Sequence, residues 1–390
     1  MTGPLDGMKV VDVSAAVAGP WAATQLCQLG AEVVMVERVD SSDVMRLTGP
    51  VVGDQSGAWV GLHGGKRAIE LNLQDARGVR VVHELVAEAD VFIQNFRPGV
   101  AERLGIGYLA LDSVNPRLVY VSVSGFGASG PYSKHPVYDP IIQGLSGIAS
   151  AQNGDYVKSF IADKTAAMTA TNATLAALLA RHTTGRGQHV EVNLLDSMIA
   201  WSWPDVYWNQ SLPDEGEVPT YSEWYAPYDT SDGQITANWT NFRQYVAAAR
   251  AVGRPDLADD ERFGTRDSRL RHSHEMRAEF GAALEKMTTA EALDALREHD
   301  VPSGPVLDRA RVLADPQVVH NDIIAEVEHP TAGRSRVTRA PARFSETDPE
   351  PLTPSPGKGQ HTQHVLVELG YSLSDIAALS EDGVIGETRG

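Results

Sequence analysis

Only one cysteine occurs in 390 residues, so no internal disulfide can form and a reducing compartment is expected. That residue, Cys27, lies in the helical-looking stretch Thr24-Gln25-Leu26-Cys27-Gln28-Leu29 and reads as a small core side chain rather than a nucleophile. Positive charge is also scarce. Lysine and arginine number 33 against 51 aspartates and glutamates, a net charge of −18, which argues against nucleic acid as a partner. It leaves room for an anionic ligand, because a few local arginines override the global sign at short range. No apolar run reaches the ~18 residues of a membrane span. Met1-Thr2-Gly3-Pro4-Leu5-Asp6 lacks the basic and apolar parts of a signal peptide. The expectation is a soluble, cytoplasmic protein with no membrane partner. Phosphate loops of the GxxxxGK[ST] type and GxSxG elbows are missing. His272 with His274, and His361 with His364, lack a third ligand at helical spacing, so no metal is expected.

What is present is an ordinary globular composition, 42% apolar and 22% charged, in a chain long enough for two domains. Apolar runs at residues 8–13 and 32–37 flank a helical pattern from Pro20 to Leu29 that closes at Gly30. This is a βαβ unit and implies a doubly wound parallel sheet. The alternation continues with a helix over Ala76–Ala89, strands over Asp90–Gln94 and Arg117–Ser124, an alanine-rich helix over Thr165–Thr183 and a strand over His189–Leu195. The division expected is a large α/β domain over 1–205, a linker over 206–225 and a small α+β domain over 226–325. A proline-rich connector and terminal helices then fill 326–390. In the small domain, helices are expected over Asn241–Val252, Arg269–Met287 and Thr289–His299. Gly125-Phe126-Gly127-Ala128-Ser129-Gly130 has the glycine spacing of a dinucleotide fingerprint. However, Pro131 and Pro136 follow where a helix must open, and nicotinamide binding is not expected.

The chain resembles the family III CoA-transferases (the CaiB/BaiF type) almost end to end. The resemblance is carried by Ala18-Gly19-Pro20, Leu29-Gly30-Ala31-Glu32-Val33, Val36-Glu37-Arg38, Lys66-Arg67-Ala68-Ile69 and Gln94-Asn95-Phe96-Arg97-Pro98-Gly99. It continues in Ser124-Gly125-Phe126-Gly127, Tyr138-Asp139, Thr184-Gly185-Arg186-Gly187-Gln188 and Val301-Pro302-Ser303-Gly304-Pro305. It implies a Rossmann-like large domain built from both chain ends, a smaller domain and an interlocked homodimer. It also implies coenzyme A and acyl-CoA as substrates, a carboxylic acid as acceptor and no tightly bound cofactor.

The same resemblance makes Asp163 the nucleophile that carries CoA as a thioester. By its own setting, Ser159-Phe160-Ile161-Ala162-Asp163 ahead of a helix, Asp163 reads first as a helix N-cap. Both roles can hold, with the helix dipole keeping the carboxylate ionised. The positions matching the family's CoA contacts are Val17, Ala18, Arg38, Leu71, Asn95, Phe96, Arg97, Arg103, Tyr138 and Asp139. Arg38 follows the second strand, where an arginine suits a ribose phosphate. Val17 stands where the oxalate-specific relatives have glutamine, which argues against oxalate or formate. Asn238-Trp239-Thr240-Asn241 stands where some relatives have a glycine-rich lid, so a bulkier lid and an acid with apolar surface are expected. Trp201, Trp203, Trp208 and Trp224 are candidate pocket walls, with core packing as the alternative. Two other classes stay open. One is an α-methylacyl-CoA racemase, whose catalytic histidine sits in a Gly-His-Asp segment where this chain has Val137-Tyr138-Asp139, tyrosine being a poor stand-in for that base; the other is a non-catalytic CoA-binding homologue.

Overall fold

Six short segments, most of them rich in valine, pair in parallel in the computed structural model, which describes residues 3–216 and 226–386. They are β1 (Lys9–Asp12), β2 (Glu32–Arg38), β3 (Arg67–Leu71), β4 (Val91–Gln94), β5 (Val119–Ser124) and β6 (Gln188–Asn193). Their order across the sheet is 3-2-1-4-5-6, the Rossmann arrangement, in which the switch from leftward to rightward winding falls between β1 and β4. Runs such as Val91-Phe92-Ile93-Gln94, buried at every position, are what a parallel sheet covered on both faces requires. β3 escapes a reading by pattern because Arg67 and Glu70 interrupt it; inside the fold Glu70 is neutralised by Lys358 at 2.8 Å.

Helices fill both faces. α1 (Ala18–Gln28) and α4 (Ile161–Thr184) pack against each other, which their alanines permit. Gly19 is required where α1 begins, since a Cβ there would overlap Ser14. α2 (Ala76–Ala87) is capped by Asp75, whose side chain accepts from the Arg77 amide. α3 (Asp139–Leu145) lies between β5 and α4 in sequence. The main core joins Val11, Phe92 and Tyr120 of the sheet to Val365, Leu366, Ile376 and Leu379 from the last two helices. The Asn72 amide donates to Val384 O at 2.8 Å, and Ile385 bridges Leu71, so this segment lies beside β3. The proline-rich connector is extended, and Pro356 O accepts from Trp59 Nε1, Arg46 Nη2 and Gln55 Nε2.

The chain divides into two compact units. The first takes residues up to Ser150, Asp155–Trp201 and everything from Gln317; the second takes Ala151–Gly154 and Ser202–Pro316. The helix Leu194–Val206 continues through the boundary expected at 205, and Trp208–Ser211 adds another turn, so the start of the expected linker is helical. The second unit has a three-stranded antiparallel sheet of Tyr228–Asp229, Gln234–Ala237 and Ser303–Pro305. Its core gathers around Tyr245, Phe263 and Phe280. The long helix expected over Arg269–Met287 is broken at His272 into Arg266–Arg271 and Ser273–Leu284. The following helix starts at a full capping box between Thr288 and Glu291.

Candidate active site

The loops at the carboxyl ends of β1 to β4 converge on a cleft of about 590 Å³, a size suited to a small-molecule ligand. Its floor is the turn after β1, held by side chains from three directions. Asp12 Oδ1 accepts from the Ser14 amide at 3.0 Å and from the Ser14 hydroxyl. Asn95 accepts from the Ala15 amide at 2.9 Å and donates to its carbonyl at 2.7 Å. Asp43 accepts from the Ala16 amide at 2.8 Å. Ala16 is thereby kept at φ +64°, a left-handed conformation costing roughly 1–2 kcal/mol for a residue with a Cβ. Beneath the turn, Lys66 Nζ pairs with Asp12 Oδ2 at 3.1 Å, both side chains fully buried.

Of the residues assigned to CoA from sequence, Arg38, Leu71, Phe96 and Tyr138 line this cleft. Val17 and Ala18 instead bury their side chains at the start of α1, 3% exposed each. Asn95 lies beside the cleft, but its amide is committed to the backbone of Ala15, so it shapes the floor. Arg97 and Arg103 are exposed on the turn around Pro98-Gly99, whose neighbours Val100 and Leu104 reach the cleft wall. Three acids also line it: Glu37, Asp40 and Asp43. Sequence reasoning passed over Asp40 and Asp43. Arg38 is engaged by Asp40 in a two-point pair, Nε–Oδ1 3.0 Å and Nη2–Oδ2 2.8 Å. Glu37 turns inward to Arg46, with both contacts at 2.8 Å. Burial pushes the Glu37 carboxyl above the usual range even so, with Arg46 opposing.

Asp163 is not a cap. α4 begins at Ile161, two residues before it, and Phe160 at the cap position offers no acceptor side chain. The exposed amides are satisfied by Asp139, whose Oδ2 accepts from the Ala162 amide at 2.7 Å and the Asp163 amide at 3.2 Å. Asp139, 2% exposed, is therefore occupied with α4 rather than turned to a cofactor, a change from its expected role. Its neighbour Tyr138 is 76% exposed and lines the cleft. The expected hold of the helix dipole on Asp163 is opposed by its surroundings. Burial, then the negative charge of Asp139, push its carboxyl up to about 7. A partly buried carboxylate with one like-charged neighbour holds its proton more tightly than one in water.

Other expectations resolve differently. No helix opens on the 125–130 glycines; the next begins at Asp139. Gly125 is there because a Cβ would overlap Val137. Trp239, expected in a lid, packs into the second unit's core with its ring 4.3 Å from Phe280. Trp201 and Trp203 are largely exposed, and Trp224 lies outside the described residues.

The family model described as CoA-transferase family III matches residues 5–362. The chain belongs to CoA-transferase family III. It is an enzyme of that group, and coenzyme A thioesters are the substrates the family implies. Similar proteins include human succinyl-CoA:glutarate CoA-transferase, 32% identical across 98% of this chain and 90% of the relative. Acetyl-CoA:oxalate CoA-transferase of Acetobacter aceti is 33% identical over 83% of this chain and 85% of its own length. Formyl-CoA:oxalate CoA-transferase of Escherichia coli is 30% identical over 99% and 100%. A crystal structure of a CAIB/BAIF family protein from Brucella suis superposes with a TM-score of 0.82 at 29% identity, covering 95% of this chain and all of that one. Among the described residues no helix is long and apolar enough to cross a membrane.

Proposed function

We propose that this CoA-transferase moves CoA from an acyl-CoA to a carboxylic acid through a thioester on Asp163. The ionised carboxylate attacks the acyl-CoA carbonyl, the C–S bond breaks, and an acyl–aspartyl anhydride and CoA thiolate result. The thiolate attacks the Asp163 carboxyl carbon, releasing the first acid as its carboxylate and leaving aspartyl-CoA. The acceptor carboxylate attacks that thioester and expels thiolate; thiolate then attacks the acceptor's acyl carbon and regenerates Asp163. No proton is gained or lost, and each difficult exchange is divided into easier ones. The observation that carries this reading is the carboxylate held at the first turn of α4, pushed up to about 7 by burial and Asp139. A carboxylate stripped of water and paired with no cation is more nucleophilic than a solvated one.

Arg38, Arg97 and Arg103 are assigned to the CoA phosphates, Leu71 and Phe96 to the walls of its channel, and the backbone of Val17–Ala18 to the reacting end. The donor and acceptor belong to the short dicarboxylic class for which the human and mouse relatives are named (succinate and glutarate), with oxalate disfavoured by Val17. The argument for an apolar acid no longer has a basis, since Trp239 packs into the second unit's core. A homodimer accords with exposed Tyr138, Ile141 and Leu145 on and beside α3, and the cytoplasm with the lone buried Cys27.

The test is Asp163→Ala. It should keep CoA binding and lose transfer; residual activity above roughly a thousandth of the parent would sink the assignment. Hydroxylamine trapping with succinyl-CoA should modify the peptide holding Asp163. Uptake of deuterium at the α-carbon of an acyl-CoA without an acid acceptor would favour the racemase alternative.

A further inference from the structure

α3 joins the cleft to the turn that carries Asp163. Tyr138, the residue before it, lines the cleft, and Asp139, its first residue, holds the Ala162 and Asp163 amides. The seat of Asp139 is itself built. Gln143, one helical turn on and 1% exposed, donates to Asp139 Oδ1 at 2.6 Å. It also grips the segment leading into α4, accepting from the Val157 amide at 2.8 Å and donating to the carbonyls of Val157 and Ser159 at 3.1 and 3.3 Å. Thus two buried side chains of one helix fix residues 157–163 as a unit. A backbone amide cap needs only a neutral oxygen, such as serine or asparagine provides. A carboxylate in that place closes α4 as serine or asparagine could, and adds an acidic group beside Asp163 that neither of them would.

We propose that Asp139, seated by Gln143, is a positioning residue for CoA transfer: it fixes the first turn of α4 and keeps a negative charge against Asp163, making it a stronger nucleophile. The idea rests on Asp163 being the nucleophile. The elements packed against α4 are α1, α3, β5 and β6. Their titratable groups are Cys27 on α1, Asp139 on α3, Tyr120 on β5, and His189 and Glu191 on β6. Lys164, Arg181 and His182 lie on α4 itself, and Asp155, Tyr156 and Lys158 precede it. Of all these charges, only that of Asp139 moves Asp163.

The test compares the parent enzyme with Asp139→Asn, which keeps an oxygen for the amides and removes the charge. Two readouts are used: the pH profile of kcat/KM with succinyl-CoA and glutarate, and the titration of the Asp163 carboxyl by carbon NMR, its resonance identified by its loss in Asp163→Asn. The expected result is a midpoint in Asp139→Asn about one pH unit below the parent's, as removal of one nearby charge gives. At pH 8, where both carboxylates are ionised, kcat should fall by roughly three- to ten-fold, as a carboxylate one pKa unit less basic is the weaker nucleophile, with KM for the acyl-CoA little changed. An unmoved midpoint, or kcat and KM changing together, would overturn the proposal and leave Asp139 a plain structural cap. If Asp139→Asn does not fold, Asp139→Glu keeps the charge but displaces it. Its midpoint should stay well above the ordinary carboxylate range while kcat falls, and a midpoint within that range would overturn the idea. Full transfer by Asp163→Asn would remove the nucleophile and this proposal together. Transfer lost there, with an unmoved midpoint in Asp139→Asn, removes this proposal alone.

Discussion

Two carboxylates of the first unit, Asp12 and Asp163, meet opposite electrostatic settings. Asp12 ends β1 under the cleft floor, 1% exposed, against a fully buried Lys66 ammonium and the amide and hydroxyl of Ser14. Asp163 is on the first turn of α4 with another carboxylate for company, and no cation pairs with it among the described residues. The first charge is cancelled and holds a backbone turn in shape. The second is left uncompensated, and its proton affinity rises. A buried charge that is neutralised serves architecture, whereas one left uncompensated is the kind of group that marks a candidate for chemistry.

The comparison is sharpened most by removing the cation. Lys66→Met leaves Asp12 buried and unpaired, which should cost about 3–5 kcal/mol of stability, read by urea unfolding at pH 7.5. A loss below about 1 kcal/mol would show that Asp12 is not held as a charge. Asp163→Asn should do the reverse. In the folded chain the Asp163 carboxyl titrates at about 7, above the unfolded value of about 3.9. The folded state therefore binds the extra proton between those values. The cost of ionising Asp163 is absent below pH 4, grows as pH rises, and is complete above about 7. Asp163→Asn should stabilise the fold by up to about 4 kcal/mol at pH 8, the linkage equivalent of that difference, with the gain shrinking towards pH 4.5. An equal effect at both pH values would contradict the assigned shift. The smallest effect belongs to a third carboxylate, Asp40, paired with Arg38 in the open, with both side chains about two-thirds exposed. Such pairs are worth little. Asp40→Asn should free Arg38 and tighten CoA binding by roughly two- to five-fold by calorimetry, less at high salt. Weaker binding would mean that Asp40 orients Arg38 instead of competing for it.

The parallel sheet was legible because its strands are short valine-rich runs separated by helical periods. β3 was not, because Arg67 and Glu70 sit in it and find partners in Glu32, Glu368 and Lys358. Arg38, Leu71, Phe96 and Tyr138 were legible as cleft residues through resemblance, since each lies at or just beyond a strand end or helix start. Asn95 shows how far such reading reaches: its position beside the cleft was found, but its bond to Ala15, 80 residues away, has no local signature. The helix starting at Ile161 rather than Thr165 was hidden for the same reason, since its cap comes from Asp139, 23 residues earlier.

By itself the sequence determined the alternation of strands and helices and the family, because periodicity and ordered motifs are properties of neighbours along the chain. The fold alone decided that Asp12 would be neutralised and Asp163 not, and that Asp139 would close α4. Charges act through space, and only the packed chain sets which of them face each other without water between.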